Sequence, residues 1–111
     1  MTKVNLQIIA ATAAQRARDA HNGRGAESVI SGATQALRQT VIAMTAGTVL
    51  AEHESPGEAT LQVISGTVEL GTAGGGGEAG EPGDLLVIPA ERHDLRATTD
   101  AVVLLTVAKA M

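Results

Sequence analysis

The sequence predicts an all-β domain of short antiparallel strands, preceded by one helix. Three observations carry this prediction: the chain has 111 residues, helical spacing is seen only near its start, and the rest is short apolar runs broken by Gly, Pro or Asp. A chain of this length forms one domain with its own core. Eight short strands at close spacing, with no helix between them, are typical of a sandwich or barrel.

The helix is predicted over roughly residues 3–20. Apolar residues recur there at spacings of three and four, which places them on one helical face; they are Leu6, Ile9, Ala13, Ala17 and Ala20. The Asn22-Gly23 pair is a stop signal for this helix. We therefore expect a helix and linker over residues 1–26 and a barrel over residues 27–111, together forming a single domain.

The strands are predicted from eight runs, at residues 28–30, 37–46, 49–55, 59–65, 67–70, 85–89, 93–98 and 101–108. Turn signals separate them at Ser55-Pro56-Gly57 and at Gly83-Asp84. The glycines at 74–77 predict a hairpin tip or loop. The order of runs and turns indicates antiparallel pairing throughout.

Several strands are apolar at consecutive positions, as in residues 41–44, 85–88 and 101–105. A strand buried on one face alternates, whereas a strand buried on both faces reads as continuously apolar. One N-terminal helix is not enough to cover the outer face of a whole barrel. We therefore expect a second copy of the chain to cover the remainder, giving a homodimer.

Composition excludes several functional classes. The chain has no cysteine, which excludes disulfides, zinc–thiolate sites and thiol nucleophiles, and its formal charge of −4 argues against a nucleic-acid partner. No apolar run approaches the ~18 residues of a membrane span, so we expect a cytoplasmic protein with no membrane partner. Phe, Tyr and Trp are also absent, so any pocket lacks aromatic stacking.

Two spaced motifs resemble those of the cupin superfamily. GTVLAEH at residues 47–53 is a glycine, five residues and a histidine, and GDLLVIP at residues 83–89 is a glycine, five residues and a proline, with His93 soon after. The resemblance spans roughly residues 37–107 and extends to a group of small single-domain bacterial cupins. It implies an RmlC-like jelly-roll barrel, usually dimeric, with any site at one mouth of the barrel.

The resemblance also implies a metal site of three histidines and one glutamate, of which this sequence keeps two ligands. His53 matches the first histidine of motif one, and His93 matches the histidine of motif two. Ser55 stands at the second histidine and Ala59 at the glutamate. Glu58 lies one place before the expected carboxylate, and a turn altered by one residue would aim it inward as a third ligand.

Two interpretations of these residues stay open. Two imidazoles can begin a site for a divalent transition metal such as Ni, Zn, Fe, Cu or Mn, with the other positions left to water or ligand. Alternatively, His53 and His93 are polar residues of the mouth, hydrogen-bonded to each other, to Ser55 or to water. Arg38 and Gln39 begin a strand of the barrel and, with Ser55, are candidate ligand-binding residues.

The residues support three functions. The first is a module that binds a small polar ligand, with or without a metal. The second is an enzyme of the isomerase, epimerase or oxygenase type that uses His53 or His93. A catalytic histidine needs an orienting partner, for which the sequence offers Ser55, Glu58, Glu91 and Asp94. The third is an interaction subunit acting through its outer surface.

Overall fold

The computed structural model describes residues 2–53 and 57–109, apart from the side chains of Glu52 and His53. The described chain is one helix followed by strands. The elements are α1 (Leu6–Asp19), β1 (Arg24–Ile30), β2 (Leu37–Met44), β3 (Val49–His53), β4 (Gly57–Ser65), β5 (Val68–Thr72), β6 (Gly77–Gly80), β7 (Leu85–Val87), β8 (His93–Ala97) and β9 (Ala101–Lys109).

Helix α1 begins where Asn5 caps it. The Asn5 side chain accepts hydrogen bonds from the backbone N–H groups of Gln7 and Ile8, at 3.0 and 3.1 Å. These bonds satisfy two of the donors that a helix leaves unpaired at its first turn. The helix has 14 residues, and within residues 2–53 and 57–109 no helix is long and apolar enough to cross a membrane.

The strands form two antiparallel sheets, and the predicted all-β fold class is confirmed. Their strand orders are β1-β2-β9-β4-β7 and β3-β8-β5-β6. The main core lies between the sheets, since it takes residues from both: Met44, Leu61, Val63, Val68, Leu70, Leu86, Leu95, Ala97, Ala101 and Val103. This arrangement is a jelly-roll barrel.

Strand β6 was not predicted from the sequence. Its four residues, GEAG, pair with β5 in register from Val68↔Gly80 to Gly71↔Gly77. Glycine and alanine have low β-propensity, so the segment reads as a continuation of the glycine-rich tip. The tertiary pairing with β5 outweighs that local preference.

A second, smaller core lies between helix α1 and the outer face of β2 and β9. The buried helix residues are all alanines, and they meet alternate residues of the two strands: Ala10, Ala13, Ala17, Val41, Ala43, Val102 and Leu104. Gly25 of β1 also lies under the helix, where a Cβ would overlap the Ala13 carbonyl oxygen. The helix therefore covers one part of the outer face of the five-stranded sheet.

The rest of that outer face has no cover within the described chain. On edge strand β7, Leu85 and Val87 are 60% and 76% exposed, while Leu86 between them is buried. Leu37, at the far end of β2, is also exposed. Ile42 and Met44 do not belong to this surface, because both pack in the core between the sheets.

Candidate functional site at the barrel mouth

The strand connections define the two ends of the barrel. The links β2–β3 (residues 45–48), β4–β5 (residues 66–67) and β8–β9 (residues 98–100) are short, so those six strands meet there at one end. The opposite ends of the same strands gather at the other end of the barrel. We call that end the mouth.

At the mouth, His53 and His93 are partners across neighbouring strands. Their Cα atoms are paired in the antiparallel ladder of β3 and β8, after a register irregularity that follows Leu50. Directly opposite residues in such a ladder have Cα atoms on the order of 5 Å apart. On its other side, His93 is paired with Thr72 of β5. The backbone thus brings the two predicted metal ligands together, while the His53 side chain lies outside the described part of the structure.

The His93 side chain is held inside the barrel. It is 3% exposed, and it lies on the same buried face of β8 as Leu95 and Ala97, two and four residues further along the strand. Its Nδ1 lies 3.1 Å from the Glu91 carbonyl oxygen. With the proton on Nδ1, the ring donates to that carbonyl and has Nε2 as its metal-binding nitrogen, the usual arrangement of a metal-ligating histidine.

The register of β4 places Glu58 and Ala59 on opposite faces. Ala59 is buried on the inner face, and Glu58 is exposed and paired at Cα with Ala108. The inner position where the resemblance implies a glutamate is therefore occupied by a methyl group. In this register Glu58 does not point inward. The expected role of Glu58 as a third ligand requires an inward carboxylate. Ser55 lies outside the described residues.

Arg38 and Gln39 also face opposite ways. Arg38 shares the inner row at the mouth with Val107 and Ala59, as the pairing of β2, β9 and β4 shows. It is half-buried, and its Nε donates to the Gln35 carbonyl oxygen at 3.1 Å. Gln39 lies on the outer face, where its Nε2 donates to Thr106 Oγ1 at 3.0 Å. Of this pair, the structure brings Arg38 to the mouth and Gln39 to the outer surface.

A cleft of about 470 Å³ opens beside the mouth, between edge strands β6 and β7. Its lining comes from β5, the β5–β6 hairpin and the segment of residues 85–91: Leu70, Thr72, Gly76, Gly77, Glu78, Leu85, Leu86, Val87, Pro89 and Glu91. Sequence reasoning missed Thr72 and Glu78. Both can be found only once β6 is known to pair with β5, because alternation along that hairpin decides which side chains face the cleft.

Comparison with known proteins identifies the fold family. No family model and no curated protein matches the chain, but solved structures do. A conserved protein of unknown function from Streptococcus pyogenes is 26% identical with a TM-score of 0.73, and the match covers 83% of this chain and 79% of that one. An RmlC-like cupin protein from Desulfovibrio desulfuricans is 28% identical with a TM-score of 0.67, covering 77% of this chain and 81% of that one.

A third solved structure shares the fold in a larger protein. The salicylate 1,2-dioxygenase of Pseudaminobacter salicylatoxidans is 20% identical with a TM-score of 0.75, covering 91% of this chain and 33% of that one. At that identity the likeness concerns the fold alone. The two facing sheets and the likeness to these solved structures show that the chain has the cupin fold. Over most of its length it is similar to an RmlC-like cupin protein of comparable size.

Proposed function

We propose that this cupin is a binding module that holds a small polar ligand at its barrel mouth. The observation that carries the proposal is the pairing of His53 with His93 across β3 and β8. At the same end of the barrel Arg38 of β2 adds a cation, and the core of the barrel is otherwise apolar. A few polar groups in an apolar recess are what fixes the orientation of a small ligand.

The donor atoms fit an open metal site rather than a closed one. Ala59 has no ligating atom, and Glu58 faces away from it. Among the described side chains no group of three or more His, Cys, Asp or Glu is placed to hold a metal. His53 and His93 would hold a divalent transition metal, and the Glu91 carbonyl would orient the His93 ring. When bound, the metal would act as a Lewis acid that anchors an oxygen atom of the ligand.

Metal uptake tests this part of the proposal. We expect elemental analysis to find bound metal and added Ni²⁺ or Zn²⁺ to raise the melting temperature. Both effects should weaken in a variant carrying His53→Ala and His93→Gln, which keeps bulk at the buried position. His21→Ala is the matched control, because His21 is the third histidine and is exposed after the helix. Uptake should also fall as the pH is lowered, since protons compete with metal for the imidazole nitrogen.

Two results would contradict the metal site. One is a metal-dependent rise in melting temperature that persists in the double variant. The other is a rise that is lost equally in His21→Ala. If the protein takes up no metal but still binds a ligand at the mouth, the metal site is rejected and the binding module stands.

A catalytic role for His93 is the second candidate. The 3.1 Å contact between His93 Nδ1 and the Glu91 carbonyl oxygen is an orienting interaction of the kind that acid–base chemistry requires. An isomerase, epimerase or oxygenase using His53 and His93 would convert its bound ligand, whereas a binding module would return it unchanged. Mass spectrometry of a co-purified ligand before and after incubation separates the two.

We also propose that the protein is a homodimer closed through the uncovered outer face of the five-stranded sheet. Exposed Leu37, Leu85 and Val87 lie on this face, beyond the part that helix α1 covers. A standard stable interface buries about 1,600 Å² in total. A second copy is the partner that would hide this apolar surface without requiring any other protein.

A further inference from the structure

The cleft beside the mouth lies where the two sheets part. Strand β6 is the edge of one sheet and β7 is the edge of the other. The recess of about 470 Å³ between them is within the size range of small-molecule sites. It therefore has room for a ligand of its own, separate from anything bound between His53 and His93.

Two carboxylates supply the charge of the cleft. Glu78 lies on β6 opposite Leu70, a residue of the core between the sheets. Glu91, in the segment between β7 and β8, also lines the cleft, and its Oε2 lies 3.5 Å from the place where a Cβ on Gly74 of the β5–β6 hairpin would stand. The lining residues include no lysine, arginine or histidine. Within residues 2–53 and 57–109 the one salt bridge joins Arg16 and Glu27. Neither carboxylate of the cleft therefore forms a salt bridge with a described residue.

The rest of the lining is apolar or lacks a side chain. Leu70 and Leu86 are buried and form part of the wall, together with Pro89, while Gly76 and Gly77 leave the hairpin side open. Thr72 adds one hydroxyl, which donates to the Gly76 carbonyl oxygen at 3.2 Å. Its oxygen keeps acceptor capacity toward another donor. The cleft thus combines hydrogen-bond acceptors of negative charge with an aliphatic wall.

We propose that this cleft binds a primary alkylammonium ion. The ammonium group, with three N–H donors and one positive charge, matches the two carboxylates and the threonine hydroxyl. The hydrocarbon part matches the wall of Leu70, Leu86 and Pro89. A quaternary ammonium ion fits less well, because it has no N–H donor and the chain has no aromatic residue to form a cation–π cage. This inference goes beyond the proposed function and requires neither His53 and His93 nor a metal.

Titration calorimetry with pentylamine tests the proposal, in low salt and with a chelator present. Glu78→Gln and Glu91→Gln should each weaken binding by up to about fivefold, the upper end of what a solvent-exposed charge pair contributes, and added salt should weaken binding further. Glu69→Gln is the matched control: it makes the same charge change on the same hairpin, but Glu69 pairs with Ala79 and does not line the cleft. It should leave the affinity unchanged.

Several results would overturn the proposal. One is that pentylamine does not bind at millimolar concentration. Another is that 1-pentanol or pentyltrimethylammonium binds as well as pentylamine. An equal loss in Glu69→Gln would show a response to net charge rather than to the cleft. The variant carrying His53→Ala and His93→Gln should still bind pentylamine; loss of binding there would mean that the cleft is not a separate site, whatever the outcome for metal.

Discussion

At the scale of single residues, Gly66 shows how the sequence closes the barrel. It follows β4 with φ +75, a left-handed conformation that favours glycine. A Cβ there would also overlap the Asp100 carbonyl oxygen in the link between β8 and β9. Gly66 thus meets two requirements at once, one of backbone conformation and one of space.

Gly47 allows these two requirements to be separated. It also has a positive φ, of +86, but a Cβ added there meets nothing within 4 Å. Gly47→Ala should therefore cost only the conformational penalty, about 1–2 kcal/mol, and Gly66→Ala should cost more. Urea unfolding followed by circular dichroism measures both, since the chain has no aromatic fluorophore. Equal losses in the two variants would show that Asp100 gives way easily.

The side chains of the site are the part of the molecule that the sequence predicts least completely. Motif spacing located His53 and His93, and the register then paired them. Motif spacing placed His93 only at the barrel mouth, and the structure buries it to 3% exposure. Motif spacing does not report burial, which depends on the neighbours that the opposite sheet brings to the position. For the same reason it could not show that Glu58 and Gln39 lie on the outer face.

At the scale of elements, helix α1 packs on the sheet through small residues. Ala13 is fully buried, and its carbonyl oxygen lies where a side chain at Gly25 would have to stand. Alanines on the helix and a glycine on β1 allow the two backbones to approach closely. The helical spacing of alanines was visible in the sequence, but its close fit to Gly25 was not, because that contact is made only after β1 folds back.

A pair of leucine substitutions tests this close packing. Ala13→Leu should destabilise the protein by about 1–3 kcal/mol, because a larger side chain forces the helix away from β1 and β2. Ala11→Leu makes the same change at an exposed position of the same helix and should stay within about 0.5 kcal/mol of the parent. Thermal unfolding followed by circular dichroism compares them. A helix that tolerates both leucines would not be closely packed.

Strand prediction succeeded where apolar runs were long and failed where they were absent. The long strands β2, β4 and β9 supply half of the buried residues of the core between the sheets and match predicted runs closely. Strand β6 has no apolar run of its own and exists through pairing with β5. The cleft with Glu78 and Glu91 depends on that unpredicted strand, so it could not be derived from the sequence.

At the scale of the whole molecule, continuous apolar strands predicted that both faces of a sheet would be buried. Helix α1 buries the outer face in the middle of β2 and β9, where it covers Val41 and Leu104. It does not account for Leu85 and Val87 of β7, which stay exposed. The sequence alone could not show how much of the outer face the helix covers and how much stays uncovered in the single chain.

A charge placed on the uncovered face tests the homodimer. Val87→Glu should shift the protein from dimer to monomer in light scattering at micromolar concentration, because a buried interface disfavours an unpaired charge. The monomer should keep its fold, since Val87 is 76% exposed within the single chain. Val49→Glu introduces the same charge at an exposed valine of β3, in the other sheet, and should leave the dimer intact. A parent protein that is monomeric under these conditions, or a Val87→Glu variant that stays dimeric, would rule out an interface through this face.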